Sequence, residues 1–188
     1  MGTLRYAAIT SLDGYTADAD GVFDWARPSP EVHAAVNELE RETRVSLLGR
    51  RMYEVLKVWQ DVTDTLGEAP AAPVEREYAE IWRGYDKVVY STTLPGVDTP
   101  RTRLEHSFDP AAVRELVERT EGVVTIGGAG LAAHALRAGL VDEVQLFVSP
   151  VAVGGGTAAM PEGLRLNLIL DGVDTFSDGV VRLVYGTR

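Results

Sequence analysis

A chain of 188 residues, 45% hydrophobic and 24% charged, has the composition of an ordinary folded domain, which sets aside disordered and disulfide-built classes. It contains no cysteine, so disulfides, thiolate metal sites and a cysteine nucleophile are excluded together. A formal net charge of −10 repels phosphate backbones, so nucleic acid is not the expected partner and a phosphorylated ligand would need local cations to reverse the field.

The N-terminal run lacks the basic region, apolar stretch and small-residue cleavage site of a secretory signal. Nowhere do about 18 apolar residues run together, so no bilayer-spanning helix and no membrane partner are expected. Cytoplasmic residence is the expectation.

Leu4 to Thr10 reads as a short buried strand, broken by Ser11-Leu12-Asp13-Gly14. A loop rich in Asp and Gly follows to Pro30, where a helix begins with Val32, Val36 and Leu39 on one face. Val45 to Leu48 is a strand ending at Gly49, and Arg50 to Val58 is helical. Residues 61–73 read as a surface loop, Val74 to Trp82 as a helix and Lys87 to Tyr90 as a strand that runs into Ser91-Thr92-Thr93. Asp109-Pro110 supplies an N-cap and a first-turn proline for a helix to Glu118. Val123 to Ile126 is a strand that leaves through Gly127-Gly128-Ala129-Gly130, and Leu131 to Ala138 is a helix stopped by Gly139. Glu143 to Ser149 is a strand, and the last third is mostly β, with strands at Leu164 to Leu170 and Gly179 to Tyr185 and Asp-Gly turns between them. Alternating strands and helices followed by hairpin character predict a mostly parallel sheet flanked by helices, with antiparallel strands at the end. No repeat or linker divides residues 1–188, which read as one domain.

In open α/β sheets, ligands sit outside the carboxyl ends of the strands, so the strand exits are where a site is sought. At Gly49-Arg50-Arg51, glycine permits close backbone approach, the helix start offers unpaired N–H groups, and arginine adds a cationic fork. These are the parts a pyrophosphate or a 2′-phosphate needs; the plainer alternative is a turn carrying two solvated arginines. Gly127, Gly128, Ala129, Gly130 and Leu131 form a second anion cradle, without the spacing of the G-x-G-x-x-G fingerprint; glycines that merely permit tight packing are the alternative. Ser91 and Thr92, with Arg101 and Arg103 downstream, offer hydroxyls to an adenosine 2′-phosphate, or else form a simple turn. Asp13 can hold a substrate amine or hydroxyl or pass a proton through water, or it can satisfy its own backbone as a turn residue. Glu31 suits the positive end of a helix with no catalytic role needed. His33, His106 and His134 show no metal-ligand spacing and read as surface or satisfied histidines, and no metal is expected.

Ser11-Leu12-Asp13-Gly14, Leu48 to Glu54, Ser91-Thr92, Ile126 to Leu131, Gly139 to Glu143, Ser149-Pro150 and Gly154-Gly155-Gly156 occur as one ordered set. This set resembles the dihydrofolate reductase superfamily. It is nearest the branch related to the C-terminal reductase domain of the bifunctional riboflavin-biosynthesis deaminase-reductase, and the likeness runs over nearly the whole chain. The resemblance implies a three-layer α/β/α fold, a mostly parallel mixed sheet with antiparallel C-terminal strands, and often a homodimer. It implies NADPH across the carboxyl edge. Gly49, Arg50 and Arg51 would bind its phosphates, Ser91 and Thr92 the adenosine 2′-phosphate side, and Gly127 to Leu131 the pyrophosphate and nicotinamide side.

By the same resemblance the function is NADPH-dependent reduction of a small pyrimidine or pteridine-like substrate. The first reading is conversion of 5-amino-6-(5-phosphoribosylamino)uracil to its ribitylamino product, with Asp13 as a substrate contact. Dihydrofolate reductases proper carry a carboxylate early in the first long helix, near the place of Glu31, which makes a dihydrofolate or pterin reductase the rival. A non-catalytic NADPH-binding protein is the rival from another class.

Overall fold

The computed structural model describes residues 2–67 and 69–187, so Met1, Arg188 and Glu68 of the 61–73 loop lie outside the described residues. Strand β1 (Thr3–Thr10) leads through a short β2 (Tyr15–Ala17) and a loop into helix α1 (Pro30–Glu40). Then come β3 (Thr43–Gly49), α2 (Arg50–Leu56), a 3-10 turn at Lys57–Gln60, the short pair β4 (Thr65–Leu66) and β5 (Ala69–Pro70), and α3 (Pro73–Gly84). β6 (Asp86–Tyr90), β7 (Thr102–Glu105), α4 (Pro110–Arg119), β8 (Val123–Gly127), α5 (Ala129–Arg137) and β9 (Glu143–Val148) follow. The chain closes with β10 (Thr157–Ala158), β11 (Leu168–Thr175) and β12 (Val181–Thr187).

Among the described residues the principal sheet has eight strands in the order β11-β12-β9-β1-β8-β3-β6-β7. From β9 across to β7 every neighbouring pair is parallel, and β12 and β11 continue the sheet antiparallel. The period of two sorts side chains to opposite faces. Leu47 and Val88 enter a core built with Val113, Leu116, Ala132 and Leu136 of α4 and α5. Their neighbours Leu48 and Val89 enter another, with Tyr53 of α2 and Tyr78 and Trp82 of α3. α1 covers Ala7, Ile9 and Phe147 through Val32 and Leu39. Helices on both faces of a mixed sheet make the three-layer α/β/α fold of the dihydrofolate reductase-like kind.

Most helix starts are sealed by their own sequence. The Ser29 hydroxyl accepts from the Val32 N–H ahead of Pro30, the Asp109 carboxylate accepts from the Ala111 N–H ahead of Pro110, and the Glu75 carboxylate reaches back to the Ala72 N–H. α2 and α5 start at glycine with no side-chain cap.

The sheet is not uniformly apolar. Paired registers set Glu143, Arg5, Thr125, Ser46 and Lys87 in one row across five strands on the α1/α3 face. Arg5 bridges Glu143 and Glu42 (2.8 Å) and donates to the Leu39 carbonyl, while the Thr125 hydroxyl donates to Ser46 at 3.0 Å. Lys87 Nζ donates to the carbonyls of Trp82 (2.8 Å) and Tyr85 (2.9 Å) and lies over both rings, closing the C-terminus of α3. Arg5, Thr125, Ser46 and Lys87 are buried, and each finds its partner.

Three departures from the sequence reading have local causes. β7 lies where Thr-Arg-Leu-Glu carries no apolar alternation, and its pairing with β6 supplies the order. Asp171-Gly172 is not a turn: the register of β11 shifts there, so the strand bulges and continues to Thr175, and the turn falls after Phe176. β2 and β10 exist only through each other, since neither two- or three-residue segment is a strand alone. No described helix is long and apolar enough to cross a membrane, and no described cluster of His, Asp and Glu could hold a metal.

Burial lowers the Lys87 pKa to about 8, below its ordinary value of 10.5. The group's contribution to stability is therefore least below about pH 8 and recovers as pH climbs toward 10.5. In urea unfolding, wild type should gain stability relative to Lys87→Met between pH 8 and pH 10; a pH-independent difference would contradict this burial.

Candidate functional site at the carboxyl rim

Parallel pairing brings the exits of β3, β6 and β8 to one edge. Gly49 pairs with Tyr90, and Leu48 with Gly127, so the two glycine turns and Ser91 share that rim. The turns touch. A Cβ on Gly128 would lie 3.5 Å from Met52 Cβ and 3.8 Å from the Gly49 nitrogen. On Gly127 it would lie 3.1 Å from both Leu48 Cδ2 and Met52 Cγ. Gly128 has φ +94° and ψ 119°, a conformation that side chains disfavour.

Two uncapped helix N-termini thus open side by side. The first-turn amides of α5 at Ala129, Gly130 and Leu131 and those of α2 have no side-chain cap, and the helix dipoles add positive potential there. Arg50 and Arg51 stand at the α2 start, both exposed. Arg50 Nη1 donates to Thr93 Oγ1 at 2.8 Å and its Nε to Glu54 at 2.9 Å, so the guanidinium ties α2 to the loop after β6. Arg51 makes no ion pair among the described residues. An acidic protein has here a local cationic rim.

The Ser91 hydroxyl accepts from the backbone N–H groups of Thr93 (3.2 Å) and Leu94 (3.1 Å), a turn-forming arrangement. Thr92 is exposed beside it. Thr93, the last of the Ser91-Thr92-Thr93 run read from the sequence, is the residue joined to Arg50. Arg101 stands at the opposite edge: it precedes β7, its carbonyl accepts from the Lys87 N–H, and its Nε donates to Asp86 at 2.9 Å. Arg103 pairs with Glu105 along β7.

Asp13, past the end of β1, has a dense set of donors. Its Oδ1 accepts from the Ser11 hydroxyl (2.6 Å) and the Val153 N–H (3.1 Å), and its Oδ2 from the Gly154 N–H (2.7 Å). The Ser11 hydroxyl and those amides hold the carboxyl down at about 2, so it is ionised at neutral pH. It braces the 150–156 loop against β1. Gly156, at φ +131°, completes the join: a Cβ there would fall 2.1 Å from the Ala17 carbonyl oxygen.

Glu31, in the first turn of α1, accepts at Oε2 from the Ser177 N–H (2.9 Å) and hydroxyl (2.5 Å) in the β11–β12 turn, which lower its pKa. That turn stands at the same edge, since Val181 pairs with Val148 at the end of β9. His33 is no surface residue. It is 9% exposed, its Nδ1 lies 3.0 Å from Asn37 Oδ1, and Trp59 and Tyr78 meet its ring edge to face.

Residues 3–182 match the RibD C-terminal domain family. The uncharacterized protein YyaP of Bacillus subtilis is 26% identical over 176 residues, covering 93% of this chain and 89% of that protein. The riboflavin biosynthesis protein RibD of Mycobacterium tuberculosis is 29% identical over 164 residues, or 85% of this chain and 45% of that protein. The chain therefore spans less than half the length of that relative. A solved structure of a Shewanella sp. PV-4 protein assigned to riboflavin biosynthesis superposes with a TM-score of 0.76 at 20% identity, covering 100% of this chain and 99% of the other, which establishes the likeness of fold.

Two substitutions separate conformational need from helix propensity. Gly128→Ala should cost about 1–3 kcal/mol through its positive φ, while Gly130→Ala, with open space around its Cβ, should be neutral or stabilising in thermal melts. Equal melting temperatures for the two would contradict the strained cap. The brace is checked by amide hydrogen exchange: Asp13→Ala should speed exchange at Val153 and Gly154 at least tenfold. In wild type the protection present above the ordinary carboxylate pKa of 3.8 should fade as pH falls through about 2.

Proposed function

Because the chain belongs to the RibD C-terminal domain family, a family of reductases, we propose that it is an NADPH-dependent reductase of a ribosylamino-pyrimidine phosphate. 5-Amino-6-(5-phosphoribosylamino)uracil is the first candidate. One observation carries the reading: two uncapped helix N-termini meet glycine to glycine, with an arginine at the α2 start joined to the Ser91–Thr93 turn.

The residues present fit a dinucleotide. A pyrophosphate needs several N–H donors converging without intervening side chains, and the missing Cβ atoms of Gly127 and Gly128 let the α5 start come against Gly49 and Met52, so the two sets of amides lie together. The amides of Gly128 to Leu131 and of Arg50 and Arg51 would hold the phosphates. Arg50, steadied by Thr93 and Glu54, would turn its remaining donors to a 2′-phosphate beside Ser91 and Thr92. When bound, the cofactor supplies the hydride at nicotinamide C4.

The chain's own part is to position, to exclude water and to handle the proton. Asp13, ionised and fixed, anchors the 150–156 loop beside the substrate side and keeps a lone pair on Oδ2 for a substrate hydroxyl or amine. The absence of cysteine in all 188 residues rules out a thiolate nucleophile, which agrees with transfer of hydride directly between bound partners.

Isothermal titration with NADPH and NADH tests the reading. Wild type should prefer NADPH, and Arg50→Ala should weaken NADPH about tenfold or more, the scale of a charge-assisted hydrogen bond, while changing NADH little. Equal losses for both would remove the 2′-phosphate role, and no binding of either would remove the reductase reading itself.

A further inference from the structure

α1 lies over β1 and β9, and α3 over β3 and β6. Between these pairs in the sheet stands β8, ending at Gly127. Each helix returns antiparallel to the strands, so the first turns of both stand at the carboxyl rim. His33 occupies the first turn of α1 and faces the groove between the two helices, where Tyr78 of α3 and Trp59 flank it.

Behind the ring runs a directed chain. Asn37, fully buried, donates from Nδ2 to the Val74 carbonyl (2.9 Å) and to Glu77 Oε2 (2.8 Å), and Glu77 is paired in turn with Arg41. Both amide protons of Asn37 are thereby spoken for, which fixes its Oδ1 as the atom facing His33. An oxygen there requires Nδ1 to carry the proton. Nε2 is left as the ring nitrogen with no protein partner among the described residues.

We infer that His33 is the proton-handling group of the site, held by Asn37 and Glu77 with Nε2 turned to the substrate. The inference rests on the reductase reading. When an imine carbon accepts the hydride, its nitrogen must gain a proton. The imidazolium gives it from Nε2, becomes the neutral Nδ1–H tautomer that Asn37 already selects, and is recharged by water. Atoms and charge balance: substrate plus hydride plus one proton gives the amine, with NADPH as the reductant. Asn37 and Glu77 are positioning residues. The titratable and charged groups facing the ring are Tyr78, which meets it edge to face, and Glu77, with Arg41 paired to Glu77 and Glu40 acting on Tyr78.

Long-range 1H–15N NMR of the imidazoles tests the geometry without any turnover. The neutral His33 ring should be the Nδ1–H tautomer in wild type, and Asn37→Asp or Glu77→Gln should broaden or shift its Nε2 signal. Addition of NADP+ with 5-amino-6-(5-phosphoribosylamino)uracil, a pair with no hydride to transfer, should shift the Nε2 resonance as well. An Nε2–H tautomer, or a resonance that ignores both ligands while NADPH binds, would overturn the inference.

In kinetics, His33→Gln should lower kcat at least a hundredfold with KM and NADPH affinity within threefold, and flatten the pH profile of kcat. Retained kcat with an unchanged profile would overturn it. Loss of NADPH binding in wild type would instead tell against the reductase reading, and the tautomer would still decide the role given to Asn37 and Glu77.

Discussion

The register between β3 and β8 governs what the rim can do. Leu48 faces Gly127 across the ladder, so the chain leaves both strands at the same height and begins two helices within van der Waals reach. A side chain at Gly127 would press on Met52 and Leu48, and one at Gly128 would meet a positive φ that side chains disfavour. A slip of one residue would exchange the faces of β3, sending Leu48 toward α4 and α5 and Leu47 toward α2 and α3. The two cores on either side of the sheet therefore enforce the approach of the glycine turns, and burial of apolar surface is what stabilises an otherwise electrostatically awkward gathering of N–H dipoles.

Charge is distributed to the same end. A net −10 spread over the surface leaves Arg101, Arg103 and Arg5 engaged with carboxylates of their own, whereas Arg51 at the α2 start has none among the described residues. The positive potential of the rim comes from backbone orientation as much as from side chains, and backbone dipoles need no counter-charge when empty. On the α1/α3 face the opposite tactic rules. The row from Glu143 to Lys87 is fully paired within the protein, which makes it scaffold, while the Arg41–Glu77–Asn37–His33 chain stops one atom short of closure.

Much of the architecture was legible because punctuation and periodicity agree. Pro30 and Asp109-Pro110 start helices where they read as starts, and Gly139 follows α5 at φ +63°. The rim glycines and Arg50 were legible as a strand-exit pattern. What failed to show depended on partners distant in sequence. β7 has order only beside β6, and Asp13 needs the amides of Val153 and Gly154, 140 and 141 residues away. Asp171-Gly172 carries turn chemistry but is overridden by pairing with β12. His33, Asn37 and Arg41 recur every four residues, a spacing the sequence displays, yet its meaning requires Glu77 from another helix.

Gly156 has a mechanical corollary. Its α-carbon nests against the peptide joining Ala17 and Asp18, while Thr157 pairs with Ala17 and the Asp13 carboxylate grips the loop two residues upstream. Three attachments within so few residues leave the two segments no freedom to slide apart. Any ligand that displaces the triple-glycine bend must drag the stretch after β1 along with it, so the two segments travel as a single jaw.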